Sequence, residues 1–145
     1  MSSTVEIDSA TFQRAPECAA HLLPCEIGFN GQAKVDNYFV SSIKKDKSSQ
    51  GLTSTFRGRP LDGEMKQVPS GYTGIIMKET HKAFTDEEER KMSVTHKFSN
   101  FHYWNLDKKP SIDDRLHQVL DWMDIASVLH GPVKSDTADI KMEKS

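Results

Sequence analysis

The sequence predicts a mainly β chain that ends in a helical region. Short runs of β-branched and aromatic residues alternate with Gly- and Pro-containing turn signals, and helical spacing is confined to Ser111–His130. Hydrophobic residues make up only 36% of 145 residues, and both ends are polar, so the buried core is modest. Strands followed by a terminal helix suggest a β-barrel or meander with an α tail. A barrel half completed by a partner fits this composition, as does an ordinary small domain. The foldable part spans residues 18–131, between a flexible N-terminal segment, 1–17, and a flexible tail, 132–145.

The elements follow in chain order. The apolar-rich run His21–Phe29 reaches Asn30-Gly31, a dipeptide suited to a tight hairpin turn. Pro24 removes a backbone donor, so this strand is an edge or is bulged. A second strand is expected over Ala33–Val40, then a polar loop over Ser41–Gly51. In Leu52–Arg59, Leu52, Ser54 and Phe56 fall on one side of a strand. Pro60-Leu61-Asp62-Gly63-Glu64 reads as a turn, Met65–Val68 as a return strand, and Pro69-Ser70-Gly71 as a second turn. Tyr72–Glu79 is a β-branched strand, and the acidic stretch His81–Lys91 a solvated loop or short exposed helix. Met92–Trp104 alternates, but its phase changes, which one extra residue near Ser99-Asn100 explains as a β-bulge. In 111–130, Ser111 is the expected cap with Asp114 three residues on, and Ile112, Leu116, Val119, Leu120 and Met123 keep helical spacing. Gly131-Pro132 is the stop, and Asp124 can cap a second short helix if the first breaks near Met123.

Several function classes lose support. The net charge is −2, from 19 basic and 21 acidic residues, whereas free-standing phosphate binders are usually basic. Two cysteines, Cys18 and Cys25, make no disulfide framework and no zinc cluster. The start lacks the basic and apolar regions of a signal peptide, and no stretch approaches the ~20 apolar residues of a membrane span, so a soluble cytosolic or nuclear protein without membrane contact is expected. No two acids sit together at a strand end as a metal-dependent nuclease needs, and six histidines show no ligand spacing. No nucleophile motif or phosphate-cradling loop occurs, so no catalytic, cofactor or metal residue is assigned.

Two segments stand out instead. In Phe56-Arg57-Gly58-Arg59, the guanidinium groups can bind phosphate or carboxylate through paired hydrogen bonds. If Phe56 stacks on a base, the chain is an independent OB-like single-stranded nucleic-acid-binding module; if Phe56 is core, the arginines pair with acids of this chain or a partner. The aromatic segment Phe98–Trp104 is either a stacking platform or a core strand with a partner-facing edge. Phe56, Arg57, Arg59, Leu61, Tyr103 and Trp104 are the partner-binding candidates.

His21-Leu-Leu-Pro-Cys-Glu26, Phe56-Arg-Gly-Arg59 followed by Leu61, Gly63 and Glu64, Val68-Pro69 with Gly71 and Gly74, and Phe98-Ser99 with Trp104-Asn105-Leu106 together resemble the C subunit of eukaryotic type 2 ribonuclease H. The acidic loop at 85–90 falls where that family carries a variable acidic insertion, and the likeness runs over about residues 20–130. The resemblance implies a non-catalytic member of a nuclear heterotrimer active in DNA replication and repair. That enzyme degrades RNA in RNA–DNA hybrids and cuts at single ribonucleotides in DNA, starting their excision. The divalent metals and catalytic acids belong to the A subunit. The B and C subunits intertwine as joined β-barrels that support it, and the C subunit contacts both of the others. The chain departs from the family at Trp122-Met123-Asp124, where a proline can follow the tryptophan, and this favours a continuous helix here.

Overall fold

The computed structural model of the chain describes residues 4–132. The chain divides into two units, Met1–Ile112 and Asp113–Ser145. Described residues of the first form eight strands and two short helices: β1 (Val5–Ile7), α1 (Ser9–Arg14), β2 (Ala20–Leu22), α2 (Val35–Tyr38), β3 (Lys44–Lys45), β4 (Leu52–Phe56), β5 (Arg59–Gln67), β6 (Gly74–Glu79), β7 (Arg90–Phe98) and β8 (Asn100–Leu106). Described residues of the second form α3 (Arg115–His130).

The strands make two open sheets, β1-β7-β6 and β2-β8-β5-β4-β3. Neither closes into a barrel, which corrects the barrel expectation for the chain by itself. β7 and β8 are one spine that changes sheets at Ser99: Phe98 still pairs with Gly74, while Asn100 already pairs with Gln67. The Ser99 carbonyl accepts from Val68 N–H at 2.9 Å. The phase change read from sequence as a β-bulge is this change of sheets instead, and it brings the Phe98 and Phe101 rings together, with centroids 6.1 Å apart. A second irregularity, between Ile76 and Met77 opposite Thr95, left no sequence signal.

Residues 4–22 run alongside this spine. β1 pairs in parallel with Arg90–Met92, and Asp8 N–H donates to Met92 O at 3.0 Å. Where α1 interrupts the strand, the Thr11 hydroxyl accepts from Val94 N–H at 2.9 Å. Pro16 O accepts from Lys97 N–H and Cys18 N–H donates to Lys97 O, both at 2.9 Å, before β2 pairs in parallel with Phe101–Tyr103. The segment expected to be flexible therefore satisfies much of the spine's outer edge. Residues 133–145 of the expected tail lie outside the described residues.

Further corrections have local causes. Asn30-Gly31 closes no hairpin: β2 ends at Leu22, ahead of Pro24, and its partner is β8. Ala33–Val40 is no strand; α2 and the 3₁₀ turn Val40–Ser42 carry Phe39 into the core instead. Packing overrides strand propensity there. The polar loop 41–51 contributes the two-residue strand β3.

Pro60–Glu64 is no turn but the middle of β5. The turn lies earlier, at Arg57 (φ 49°) and Gly58 (φ 77°), with Phe56 and Arg59 as the closing pair. Two positive φ values define a type I′ hairpin, whose twist matches the strands it joins. In an antiparallel ladder, hydrogen-bonded and non-bonded pairs alternate. Pro60, paired with Thr55 beside the closing pair, therefore turns its missing donor away from β4, and the β5–β8 ladder begins only at Leu61–Leu106. Gly63 fits a strand because its partner Trp104 lies on it: a Cβ there would be 2.4 Å from the indole Cε3. Gly74 lies under Phe98 in the other sheet in the same way.

The core of the first unit gathers on one face of the larger sheet. Phe39, Leu52, Leu61 and Trp104 are buried, with Leu23, Ile43, Phe56 and Leu106 packed against them. Alternation along β4 and β5 selects Leu52, Ser54, Leu61 and Gly63 for that face. Buried Ser54 is satisfied by the Ser42 hydroxyl at 2.7 Å. α3 runs unbroken for 16 residues through Met123-Asp124, starts after Asp114 rather than Ser111, and has no buried residue.

Candidate interaction surface

The hairpin of β4 and β5 positions most of the residues singled out by sequence. Phe56 is half-buried and meets the Phe39 ring edge-on, centroids 6.2 Å apart, so its ring is committed to the core. That removes the stacking element of the nucleic-acid reading. Arg57 sits exposed at the turn, in a left-handed conformation. Arg59 pairs with Asp107 at 3.8 Å, but both side chains are about two-thirds exposed, which makes a weak, screened contact. Leu61 (4% exposed) and Trp104 (1%) are core residues. Within this chain they shape the sheet from inside. Tyr103 is half-buried on β8.

Sequence reasoning missed an aromatic cluster around Trp104. The Trp104 indole N–H donates to His21 Nδ1 at 3.2 Å. The His21 and His102 rings stack at 4.3 Å, nearly parallel at 15°, as their β2–β8 register requires. Phe39 closes the cluster edge-on, 5.3 Å from His21 and 5.6 Å from Trp104. Burial first, and the neighbouring His102 second, hold the His21 pKa below its ordinary 6.5. No signal in either histidine's local sequence points to this, because β2–β8 pairing joins residues about eighty apart.

Charged groups are arranged for structure. Glu64 pairs with Lys66 at 2.9 Å, and Glu79 takes Arg90 with two bonds at 2.9 and 3.1 Å across β6 and β7. Those bonds hold the Glu79 carboxyl below its usual range. The Asp46 carboxylate is lowered by Ser48 N–H and the Ser48 and Ser49 hydroxyls, which fold the 46–51 loop. Among the described residues, no group of three or more His, Cys, Asp or Glu is placed to hold a metal ion. Cys18 and Cys25 are free thiols.

The conspicuous exposed chemistry is apolar. On α3, Trp122, Val128 and Leu129 are 66%, 81% and 69% exposed, and Ile125 is open as well. Apolar residues lie around the whole helix, a pattern that normally belongs to a buried helix. On β6, at a sheet edge, Ile76 and Met77 are exposed. The core-side face of the larger sheet continues past its cluster into an open groove of about 760 Å³ lined by Ile43, Leu52, Met65 and His102. These surfaces offer strand pairing and apolar burial to other chains.

Comparison with known proteins agrees with this reading. The family described as "Ribonuclease H2 non-catalytic subunit (Ylr154p-like)" matches residues 19–129. A mouse protein, named as the C subunit of ribonuclease H2, is 28% identical over 155 aligned positions, covering 91% of this chain and 92% of that protein. Its bovine counterpart of the same name is 29% identical at the same coverage. An uncharacterized protein of Schizosaccharomyces pombe is 32% identical over 117 positions, covering 74% of this chain and 80% of its own length.

Proposed function

The chain belongs to the ribonuclease H2 non-catalytic subunit family, and from that premise we propose that it is a scaffold completed by the enzyme's catalytic A subunit and its B subunit. In this reading the trimer works in the nucleus, degrades RNA in RNA–DNA hybrids and cuts at single ribonucleotides in DNA. The divalent metals and reacting acids belong to the A subunit. This chain supplies shape, open sheet edges and an apolar helix.

The observation that carries the proposal is the contrast between a small core and large exposed apolar side chains, Trp122, Val128 and Leu129 foremost. Covering one such side chain gains about 1.5–3 kcal/mol. Three together outweigh much of a typical domain's net stability of about 5–15 kcal/mol. A surface of that kind suits a permanent interface, which typically exceeds ~2,000 Å².

Reconstitution tests it. The A and B subunits are expected to gain full hybrid cleavage only when this chain is added, and Asp62→Asn or Glu64→Gln in this chain is expected to leave turnover intact. Hybrid cleavage by this chain with no companions, abolished by changing one of its own acids, contradicts the proposal.

A further inference from the structure

We propose that the His21–His102 pair is a proton-operated latch: neutral, it fastens β2 to the edge of β8, and protonated, it releases the strand. The geometry points to this in three ways. First, His21 Nδ1 accepts the Trp104 indole N–H at 3.2 Å, so His21 carries its single proton on Nε2. A second proton would land on Nδ1 and set two donors face to face, and that bond must then break. Second, His102 Nδ1 is buried and has no hydrogen-bond partner among the described residues, so a proton added there meets no acceptor. Third, the stacked rings at 4.3 Å cannot both be charged without direct repulsion across the strand pair.

The surroundings offer little to compensate added charge. The rings facing His21 are Phe39, from the turn after α2, and His102 and Trp104, from β8. On β5, the partner of His102 is Met65; its neighbours Glu64 and Lys66 alternate to the opposite face of the strand and pair with each other. Lys45, Asp46, Asp62, Glu64 and Lys109 line the open groove beside His102; Asp62 and Glu64 alternate away from Met65 on β5, and the Asp46 carboxylate is already engaged by Ser48, Ser49 and the Lys109 charge. His21 is accordingly harder to protonate than an exposed imidazole, with desolvation the larger cause and His102 the smaller.

β2 is also the element that can yield. It is three residues long, lies at the sheet's edge, and pairs with β8 alone. The bonds of Pro16 and Cys18 to Lys97 lie before it, and the buried Phe39 lies beyond the following loop. Release is therefore confined to about residues 19–34, and it opens the Phe101–Tyr103 edge of β8 to another strand.

Hydrogen exchange by mass spectrometry on the full-length chain in its assembled complex, corrected for intrinsic rates between pH 8 and 5, reads the latch directly. Amides of residues 20–23 are expected to lose protection about tenfold or more below pH 6, while β5 and β7 hold theirs. In His21→Gln/His102→Gln, the acid step is expected to vanish, because the amide carbonyl of the glutamine introduced in β2 still accepts the indole N–H. Equal protection of 20–23 across the range, or an acid step that survives in the double variant, overturns the proposal. If the double variant does not assemble, the wild-type pH series decides alone.

Discussion

The two tryptophans measure the difference between two regions of this molecule. Trp104 is 1% exposed, covers Gly63, and bonds to His21 in the larger sheet. Trp122, on α3, is 66% exposed in a helix with no buried residue. The side chains are the same and the roles are opposite. The sheet consumes its own apolar residues, whereas the helix presents them. In the proposed reading, one region folds around itself and the apolar surface of the other becomes stabilising when a second chain covers it.

Substitutions can break or sharpen that contrast. The largest effect is expected from Trp104→Ala, which empties the centre of the core and costs about 3–5 kcal/mol. Soluble protein should be lost even on coexpression with partners; normal yield and normal amide protection in β5 and β8 would count against a self-contained sheet. Next is Gly63→Ala, whose Cβ meets the indole ring at 2.4 Å. Overpacking of this kind costs about 1–3 kcal/mol, seen as faster exchange in β5 and β8.

A smaller effect comes from acid. His21 has a folded-state pKa below 6.5, so the unfolded chain takes up the proton first. Its contribution is complete above pH 6.5 and declines as pH falls from there through the folded-state value. Urea midpoints of the complex should drop over that window, and less in His21→Gln. The smallest effect on folding is expected from Trp122→Ala, within about 0.5 kcal/mol for an exposed position. Its cost should fall on association instead, by about 2 kcal/mol if the ring anchors an interface. Loss of β5 and β8 protection in this variant would erase the contrast.

What could be read from sequence follows the same division. Most of the strand expected over Leu52–Arg59, which is observed over Leu52–Phe56, and the terminal helix were legible, because each is signalled by neighbours within one element; the phase change near Ser99 was visible too, but it marks a change of sheets rather than a bulge. The Pro60–Glu64 segment misled, because its turn-like composition answers a tertiary need: Gly63 makes room for the indole, and Pro60 lies where no ladder partner waits for its donor. Residues 4–22 misled for the opposite reason. Their pairing is parallel, broken into three-residue pieces and spread over the length of β7 and β8, so no local periodicity marks it. Of the six partner-binding candidates, Arg57 and Arg59 are exposed, Phe56 and Tyr103 are half-buried, and Leu61 and Trp104 form the core. Apolar residues all round α3 were the overlooked signal for a surface waiting to be covered.

The most direct test compares this chain expressed alone with the same chain coexpressed with the A and B subunits, by size-exclusion chromatography followed by reversible urea unfolding. The chain alone is expected to aggregate or unfold without a sharp transition, and to elute as one stoichiometric species with its partners. A monomeric chain that unfolds sharply and reversibly, as stable alone as in company, would contradict the view that other polypeptides complete it.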